Sequence, residues 1–287
     1  GVGLMGKSMV RNLMKAGFEL HIYARTKSKV EDVISEGAQF HESIKDCVQD
    51  CDAVITIVGF PQDVEEVYFD EGNILDSAKE GAYLIDMTTT SPQIAEKIYE
   101  EGTKRGFHVM DAPVTGGDTG AKAGTLSILV GGEKEDYEAC MPLFEAMGTN
   151  INYQGKAGCG QHCKLANQIM IAGTLSGVCE ALTYAKEQGL DPEVFMKSVA
   201  TGAAGSKQLD TFGPKILKDD YAPGFFMKHF IKDMKLALIE ANRKGLSLDV
   251  LSMVLANYEE LEQEGYGDLG TQALMKFYDE EHRNTEE

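Results

Sequence analysis

Basic residues are scarce in this sequence: 27 Lys and Arg stand against 46 Asp and Glu over 287 residues, a formal net charge of −19. Binding to nucleic acid or to an anionic membrane calls for clustered Lys and Arg, so this balance argues against both as partners. Any phosphate or carboxylate ligand must then be held by local basic groups and backbone amides, against an unfavourable overall field. Cysteines are also few: Cys47, Cys51, Cys140, Cys159, Cys163 and Cys179. The four-residue steps Cys47/Cys51 and Cys159/Cys163 match structural zinc spacing poorly and no histidine cluster accompanies them, so no metal site is expected. Reduced structural thiols in a cytoplasmic protein are the simpler expectation. No apolar run approaches the length of a membrane span, and no signal peptide is read at the start. With 43% hydrophobic residues, enough apolar material remains for two packed domains or one large one.

What the first half does contain is alternation. Short apolar strands are expected at 19–23, 53–58, 83–86, 108–112 and 127–130, and amphipathic helices at 7–16, 27–35, 64–68, 92–105 and 134–147. That order implies a mostly parallel sheet covered by helices on both faces. The sequence opens on Gly1-Val2-Gly3-Leu4-Met5-Gly6, directly before a helix. In such a turn one glycine makes the tight bend, one lets the backbone approach a pyrophosphate, and one lets helix and strand pack closely. The helix start adds free N–H groups for the anion. Gly1, Gly3, Leu4, Met5 and Gly6 are therefore candidate cofactor-binding residues. A strand should lead into this turn, and a short apolar strand upstream of Gly1 is expected. At the end of the second strand an acid would bond the ribose hydroxyl of NAD. The sequence has Ala24-Arg25-Thr26-Lys27-Ser28-Lys29 instead. Arg25, Thr26 and Lys29 could surround a 2′-phosphate, which favours NADP while leaving NAD possible.

Ligands of such a sheet lie beyond the carboxyl ends of its strands. Val58-Gly59-Phe60-Pro61 could wall the adenosine or nicotinamide side. Thr88-Thr89-Thr90-Ser91 offers hydroxyls to a carboxamide or caps the helix that follows, and Ser91 before Pro92 reads as the cap. Asp111-Ala112-Pro113-Val114-Thr115-Gly116-Gly117 ends in a turn whose N–H groups could hold a carboxylate, or is a plain turn.

Strand signals fade from Gly158 onward. Residues 164–188 read as a long helix, nearly all apolar and rich in small residues, and a helix apolar all round is buried, in a dimer or an interdomain core. Lys164, Asn167 and Gln168 share one face of it at i, i+3 and i+4. A lysine near a buried helix start is shifted toward its neutral form by desolvation and by the dipole, as proton exchange near neutral pH requires; a snorkelling lysine with two surface amides is the alternative. Further helices are expected from Asp191-Pro192 and at 230–244 and 247–262, with a solvated charged tail from Asp279. Within Lys228-His229-Phe230-Ile231-Lys232-Asp233, Lys232 could reach cofactor or substrate, or form a surface ion pair. His162 and His229 lack a partner acid. The division falls between a dinucleotide-binding domain, residues 1–157, and a helical domain, residues 158–287.

Residues 1–6, 111–117, 158–168 and 230–233, in that order, resemble the β-hydroxyacid dehydrogenase family, which includes 3-hydroxyisobutyrate dehydrogenase, tartronate semialdehyde reductase and glyoxylate/succinic semialdehyde reductases. The resemblance implies an α/β Rossmann-type doubly wound parallel sheet domain followed by an all-α domain, assembled as a homodimer or homotetramer. It implies Lys164 as the catalytic lysine. Thr115, Gly116 and Gly117 match the turn for the substrate carboxylate, with Thr where the family usually has Ser. Either Asn167 or Gln168 orients substrate, Phe225 and Asp233 lie on the substrate side, and Thr90 and Lys232 contact the cofactor. Arg25-Thr26 is similar to NADPH-preferring members. The implied activity is hydride transfer between NADP(H) and a small 3-hydroxy acid or semialdehyde acid. The rival is a dinucleotide-binding scaffold or sensor without turnover, while 6-phosphogluconate-type decarboxylation is disfavoured by chain length.

Overall fold

Short apolar strands and amphipathic helices build the first of two units, Gly1–Lys164, and among the described residues of the second, Leu165–Glu287, the regular elements are helices. The computed structural model describes residues 1–278, so the tail expected from Asp279 lies outside the described residues. In chain order the first unit runs α1 (Leu4–Lys15), β1 (His21–Ile22), α2 (Glu31–Ser35), β2 (Gln39–Phe40), α3 (Ile44–Val48), β3 (Ala53–Thr56), α4 (Pro61–Phe69), α5 (Ile74–Ser77) and β4 (Tyr83–Asp86). It continues through α6 (Pro92–Lys104), β5 (His108–Asp111), β6 (Val114–Thr115), α7 (Gly117–Ala123), β7 (Leu126–Gly131), α8 (Lys134–Ala139), α9 (Met141–Met147) and β8 (Gly148–Gly155).

The sheet is the parallel, helix-covered one that the alternation implies, with an antiparallel turn at one side. β3, β4 and β5 are parallel neighbours, β7 runs antiparallel to β5 and β6, and β8 pairs parallel with β7. Leu84 and Ile85 are adjacent in β4 and both fully buried. Leu84 packs with Val54, Ile98 and Val109, and Ile85 with Met110, Ile128 and Phe144, so each face carries its own core. Thr56, Asp86 and Asp111 are register partners at the carboxyl ends of their strands, which lines up three polar side chains at one edge. β1 and β2 form a separate two-stranded sheet. A cavity of about 540 Å³ lies between the two sheets, lined by Leu20 and Ile22 on one side, by Val54, Ile55 and Ile57 on the other, and by Met9 and Leu13 of α1.

Several local expectations are corrected. The helix expected at 134–147 is two, α8 and α9, divided at Cys140 (φ −87°, ψ 2°) just ahead of Pro142. The strands β6 and β8 were not anticipated. Residues 27–35 hold a 3₁₀ turn, Lys27–Lys29, before α2. The four-residue cysteine step at Cys47/Cys51 is a local contact in which the Cys51 thiol donates to the Cys47 carbonyl at 3.1 Å.

A 29-residue helix, α10 (Cys159–Glu187), starts in the first unit and continues as the spine of the second. It is followed by α11 (Pro192–Val199), α12 (Lys207–Ile216), α13 (Met227–Arg243) and α14 (Asp249–Gln263). In the second unit Leu175, Cys179 and Leu182 of α10 pack with Phe230, Met234, Val254 and Tyr258. By length and composition α10 does suit a membrane span, with a mean hydropathy of 1.2 in its most apolar window, which corrects the expectation that no run comes close. Nor is it buried all round: Met170 and Tyr184 are 73% and 67% exposed. Val250 and Met253 of α14 are exposed as well, and a Cβ placed on Gly173 would touch Val250 at 3.6 Å, so this face of the second unit is apolar and open.

Candidate active site

The three glycines of the opening turn occupy different environments. A Cβ on Gly1 would meet the Ile57 carbonyl oxygen at 2.4 Å, and one on Gly6 would meet the Gly1 carbonyl oxygen at 2.4 Å. Those two let α1 close against the chain leaving β3. A Cβ on Gly3 would meet nothing within 4 Å. Gly3 is also the N-cap of α1 and brings no side chain to cap that end, and the first turn carries no acid. The first-turn N–H groups, beginning with those of Leu4 and Met5, have no partner inside the helix. An open glycine at an uncapped, acid-free helix start fits the pyrophosphate of a dinucleotide.

Two other predicted cofactor segments are joined by a residue the sequence reading missed. Asp63, in the first turn of α4, accepts the Phe60 backbone N–H at 3.0 Å through Oδ2, and its Oδ1 lies 3.3 Å from the Arg25 guanidinium. Arg25 is thereby tied to the Val58-Gly59-Phe60 loop while its side chain stays 72% exposed. Lys27 turns away, over the Phe40 ring and toward Glu42. Thr26 precedes the 3₁₀ turn without a side-chain cap bond, and Lys29 is exposed.

At the carboxyl edge of the sheet the polar residues form one connected set. Thr56 Oγ1 donates to Asp86 Oδ1 at 2.8 Å, and the Thr88 N–H donates to the same oxygen at 3.1 Å. Thr88 Oγ1 in turn accepts the Val58 N–H at 3.0 Å, tying the two loops together. Burial pushes the Asp86 carboxyl up to about 6, with repulsion from Asp111 adding to the effect and the Thr56 and Thr88 bonds opposing it. Asp111 caps the start of α10: Oδ1 accepts the Gly158 N–H at 2.7 Å and Oδ2 the Gln161 N–H at 2.8 Å. Burial raises its carboxyl too, against those two backbone bonds. Gly160 and Gly131 make the seat possible. A Cβ on Gly160 would stand 2.4 Å from the Leu129 carbonyl oxygen, and one on Gly131 would stand 2.6 Å from Asp111 Oδ1.

Gln161 is fully buried, and its side chain closes the arrangement. Nε2 donates to the Thr88 carbonyl at 2.7 Å and Oε1 accepts the Thr90 N–H at 3.0 Å. Lys164 follows three residues later and is only 7% exposed, which removes the snorkelling alternative. Since α10 begins at Cys159, the lysine sits in its second turn. That corrects its expected place at a helix start, and the dipole acts on it less than a first-turn position would allow. Thr90 is fully buried, and its hydroxyl has no hydrogen-bond partner among the described residues. Ser91 caps α6 by accepting the Gln93 N–H at 3.2 Å. Thr115 lies on β6, paired with Ser127, and Gly116 and Gly117 follow at φ of +130° and +62°. Two consecutive residues in that region need glycine. Asp118 next to the turn is ion-paired with Lys122 at 2.6 Å.

In the second unit the two amides separate in role. Gln168 is 2% exposed; its Oε1 accepts from Asn167 Nδ2 at 2.8 Å and its Nε2 donates to Asp233 Oδ2 at 2.7 Å. Asp233 is 1% exposed, and Lys232 Nζ lies 2.9 Å from its other oxygen, off the hydrogen-bonding angle. The Lys232 side chain is 12% exposed, so this is no surface ion pair. Asn167 keeps partial exposure, while Gln168 spends its amide on internal bonds. Phe225 is partly buried, stacked on His229 and edge-on to Phe230.

Comparison with known proteins gives this arrangement its family. Residues 1–155 match the family model described as the NAD binding domain of 6-phosphogluconate dehydrogenase, and residues 158–278 match NAD-binding of NADP-dependent 3-hydroxyisobutyrate dehydrogenase. The uncharacterized oxidoreductase YkwC of Bacillus subtilis is 49% identical over 278 residues, covering 97% of this chain and 96% of its own. A probable mitochondrial 3-hydroxyisobutyrate dehydrogenase-like protein of Arabidopsis thaliana is 44% identical, over 96% of this chain and 82% of its own. Among solved structures, Mycobacterium tuberculosis 3-hydroxyisobutyrate dehydrogenase with L-serine superposes with a TM-score of 0.89 at 26% identity, covering 97% of each chain. With its Rossmann-like sheet unit, its helical unit and relatives matched over nearly their whole length, the chain belongs to the β-hydroxyacid dehydrogenase family and is an NAD(P)-dependent oxidoreductase of hydroxy acids.

Proposed function

We propose that the protein moves hydride between NADP(H) and a small 3-hydroxy acid or semialdehyde acid, the carbonyl of a semialdehyde or keto acid becoming the corresponding hydroxy acid in the reductive direction, with Lys164 as general acid and base. The nicotinamide, when bound, supplies or accepts the hydride. Lys164 Nζ gives its proton to the carbonyl oxygen as negative charge develops there, and takes it back in oxidation. Burial of Lys164 in the second turn of a helix whose start is anchored to the sheet edge is the observation that carries this reading. The Thr115-Gly116-Gly117 turn receives the substrate carboxylate. Asn167, the partly exposed residue of the pair, is the better orienting one, and Gln168 and Asp233 hold it in place. Gly1, Gly3 and the first turn of α1 hold the pyrophosphate, and Arg25, Thr26 and Lys29 receive a 2′-phosphate. The absence of an acid from residues 24–29 and the NADP-dependent description of the matched C-terminal family support that preference.

The test is a spectrophotometric panel of glyoxylate, succinic semialdehyde, methylmalonate semialdehyde and tartronate semialdehyde, each run with NADPH and with NADH. NADPH should give the higher kcat/KM, and a clear NADH preference would overturn the assignment of Arg25. Lys164→Ala should lower kcat by about 10²–10⁴-fold, the range of general acid–base catalysis, while NADPH still binds. Near-normal turnover by that variant would remove the role of Lys164. NADPH binding without turnover of any panel member would favour a dinucleotide-binding sensor.

A further inference from the structure

Between the lysine-bearing helix and the loop after β4 stands one buried amide. Gln161 uses its donor on the Thr88 carbonyl and its acceptor on the Thr90 N–H, at 2.7 and 3.0 Å. These two loop groups flank Thr89 and are otherwise the ends of an irregular segment. The same residue's backbone N–H is held from beneath by Asp111 at 2.8 Å. Thr88 is gripped at two further points, its N–H by Asp86 and its hydroxyl by the Val58 N–H. A chain of short bonds therefore runs from the Val58 loop through Thr88 into Gln161, one helical turn before Lys164.

We propose that Gln161 is a positioning residue for the hydride and proton transfer: it locks the Thr88-Thr89-Thr90 loop and the Lys164 turn of α10 into one register. A plain spacer at this position would need only an apolar side chain filling the same volume. An amide whose two ends satisfy backbone groups two residues apart fixes the sliding of the helix along the loop, which packing alone leaves soft. Loss of the amide lets the Lys164 turn drift relative to the loop. A misplacement of about 1 Å can cost on the order of 10²-fold in rate. The proposal rests on Lys164 being the acid and base, and its test separates the two ideas.

The experiment compares wild type, Gln161→Met, Lys164→Ala and the double variant, using NADPH and the panel member that wild type turns over fastest. Since the chain has no tryptophan, enhancement of NADPH fluorescence reports cofactor binding cleanly. Gln161→Met should lower kcat by about 10- to 100-fold with NADPH Kd within about threefold of wild type, and should cost less than about twofold when Lys164 is already absent. Equal losses in both backgrounds, or a loss carried wholly by NADPH Kd, would overturn the proposal while leaving Lys164 in its role. Near-normal turnover by Lys164→Ala alone would overturn the reading beneath it. Gln161→Glu is a second route should the Met variant not fold. Its carboxylate still accepts from the Thr90 N–H but donates to the Thr88 carbonyl only when protonated. Its kcat relative to wild type should therefore rise as pH is lowered from 8 to 5.5, and a flat ratio would count against the positioning role.

Discussion

Gly160→Ala is the sharpest perturbation the structure offers, because the two nearest atoms a new methyl would meet are backbone oxygens. The new methyl would stand 2.4 Å from the Leu129 carbonyl oxygen, 2.7 Å from the Asp111 carbonyl oxygen and 2.8 Å from Asp111 Oδ2. Comfortable C···O contact begins near 3.3 Å, so about 1 Å of separation must be found. Both oxygen-bearing residues lie on paired inner strands of the sheet, β7 and β5, and are buried, at 9% and 3% exposure. The helix start moves instead. A shift of that size stretches the Gln161 N–H bond to Asp111 from 2.8 Å to well beyond hydrogen-bonding distance. Overpacking costs about 1–3 kcal/mol, and a buried carboxylate losing a donor costs about 1–3 kcal/mol more. At about 2–4 °C per kcal/mol for a chain of this order, a total of about 2–6 kcal/mol should lower Tm by roughly 4–24 °C. Lys164 travels with the turn, so kcat should drop on the order of 10²-fold. Thermal melts by circular dichroism and steady-state kinetics below the transition measure the two effects separately. A lowered Tm with kcat within threefold of wild type would show that the seat of α10 does not set the lysine. An unchanged Tm would show that the close approach itself is not there.

Gly3→Ala should do the opposite. With nothing within 4 Å of the added carbon, Tm of the free protein should stay within about 2 °C of wild type, while on the proposed placement of the pyrophosphate NADPH Kd should weaken at least tenfold. A variant that binds NADPH normally would move the cofactor away from this turn, and Gly6→Ala, whose methyl meets a backbone oxygen at 2.4 Å, should lower Tm as well. Asp86 gives a pH-dependent prediction. Its folded pKa, about 6, stands above the ordinary 3.8, so the native state binds the extra proton and stability falls as pH rises between those values. The shift of 6 − 3.8, or 2.2, corresponds to roughly 3 kcal/mol in all. Asp86→Asn removes the titration, so the variant should gain about 1 kcal/mol on wild type between pH 5 and pH 7 in urea melts. A difference independent of pH would refute the raised carboxyl.

How much of this was legible in the sequence follows from how local each interaction is. The strands of the central sheet declare themselves because Leu84-Ile85 and Val109-Met110 are apolar on both faces, and only a doubly covered sheet uses such runs. β8 was invisible because its outward residues are polar: Thr149, Asn150 and Asn152 read as loop until β7 supplies a partner. The start of α10 was placed five residues late for a related reason. Gly158 and Gly160 look like turn residues locally, and what makes them the beginning of a helix is a carboxylate on Asp111, 47 residues earlier. Helix 134–147 was overextended because hydropathy runs straight through Cys140, whereas the backbone does not.

The same distinction explains which candidate residues could be picked out from sequence. Lys164 was recognisable because its neighbours in sequence, Asn167 and Gln168, share its helical face, and a helix turns local spacing into geometry. Even so, spacing could not say which amide stays available, since Gln168 is committed to Asp233, 65 residues away. Gln161 sits inside the same recognisable stretch and carried no signal, because its partners lie 71 and 73 residues back in the loop after β4. Asp63 escaped in the same way: its Asp-at-N3 capping role was readable, its grip on Arg25 was not. Residues whose chemistry acts on a ligand announce themselves by type, while those that hold the chemistry in place do so only through contacts distant in sequence. It follows that substitutions at Asp63, Asp111 and Gln161 should change what Arg25 and Lys164 can do without any of the three touching a ligand.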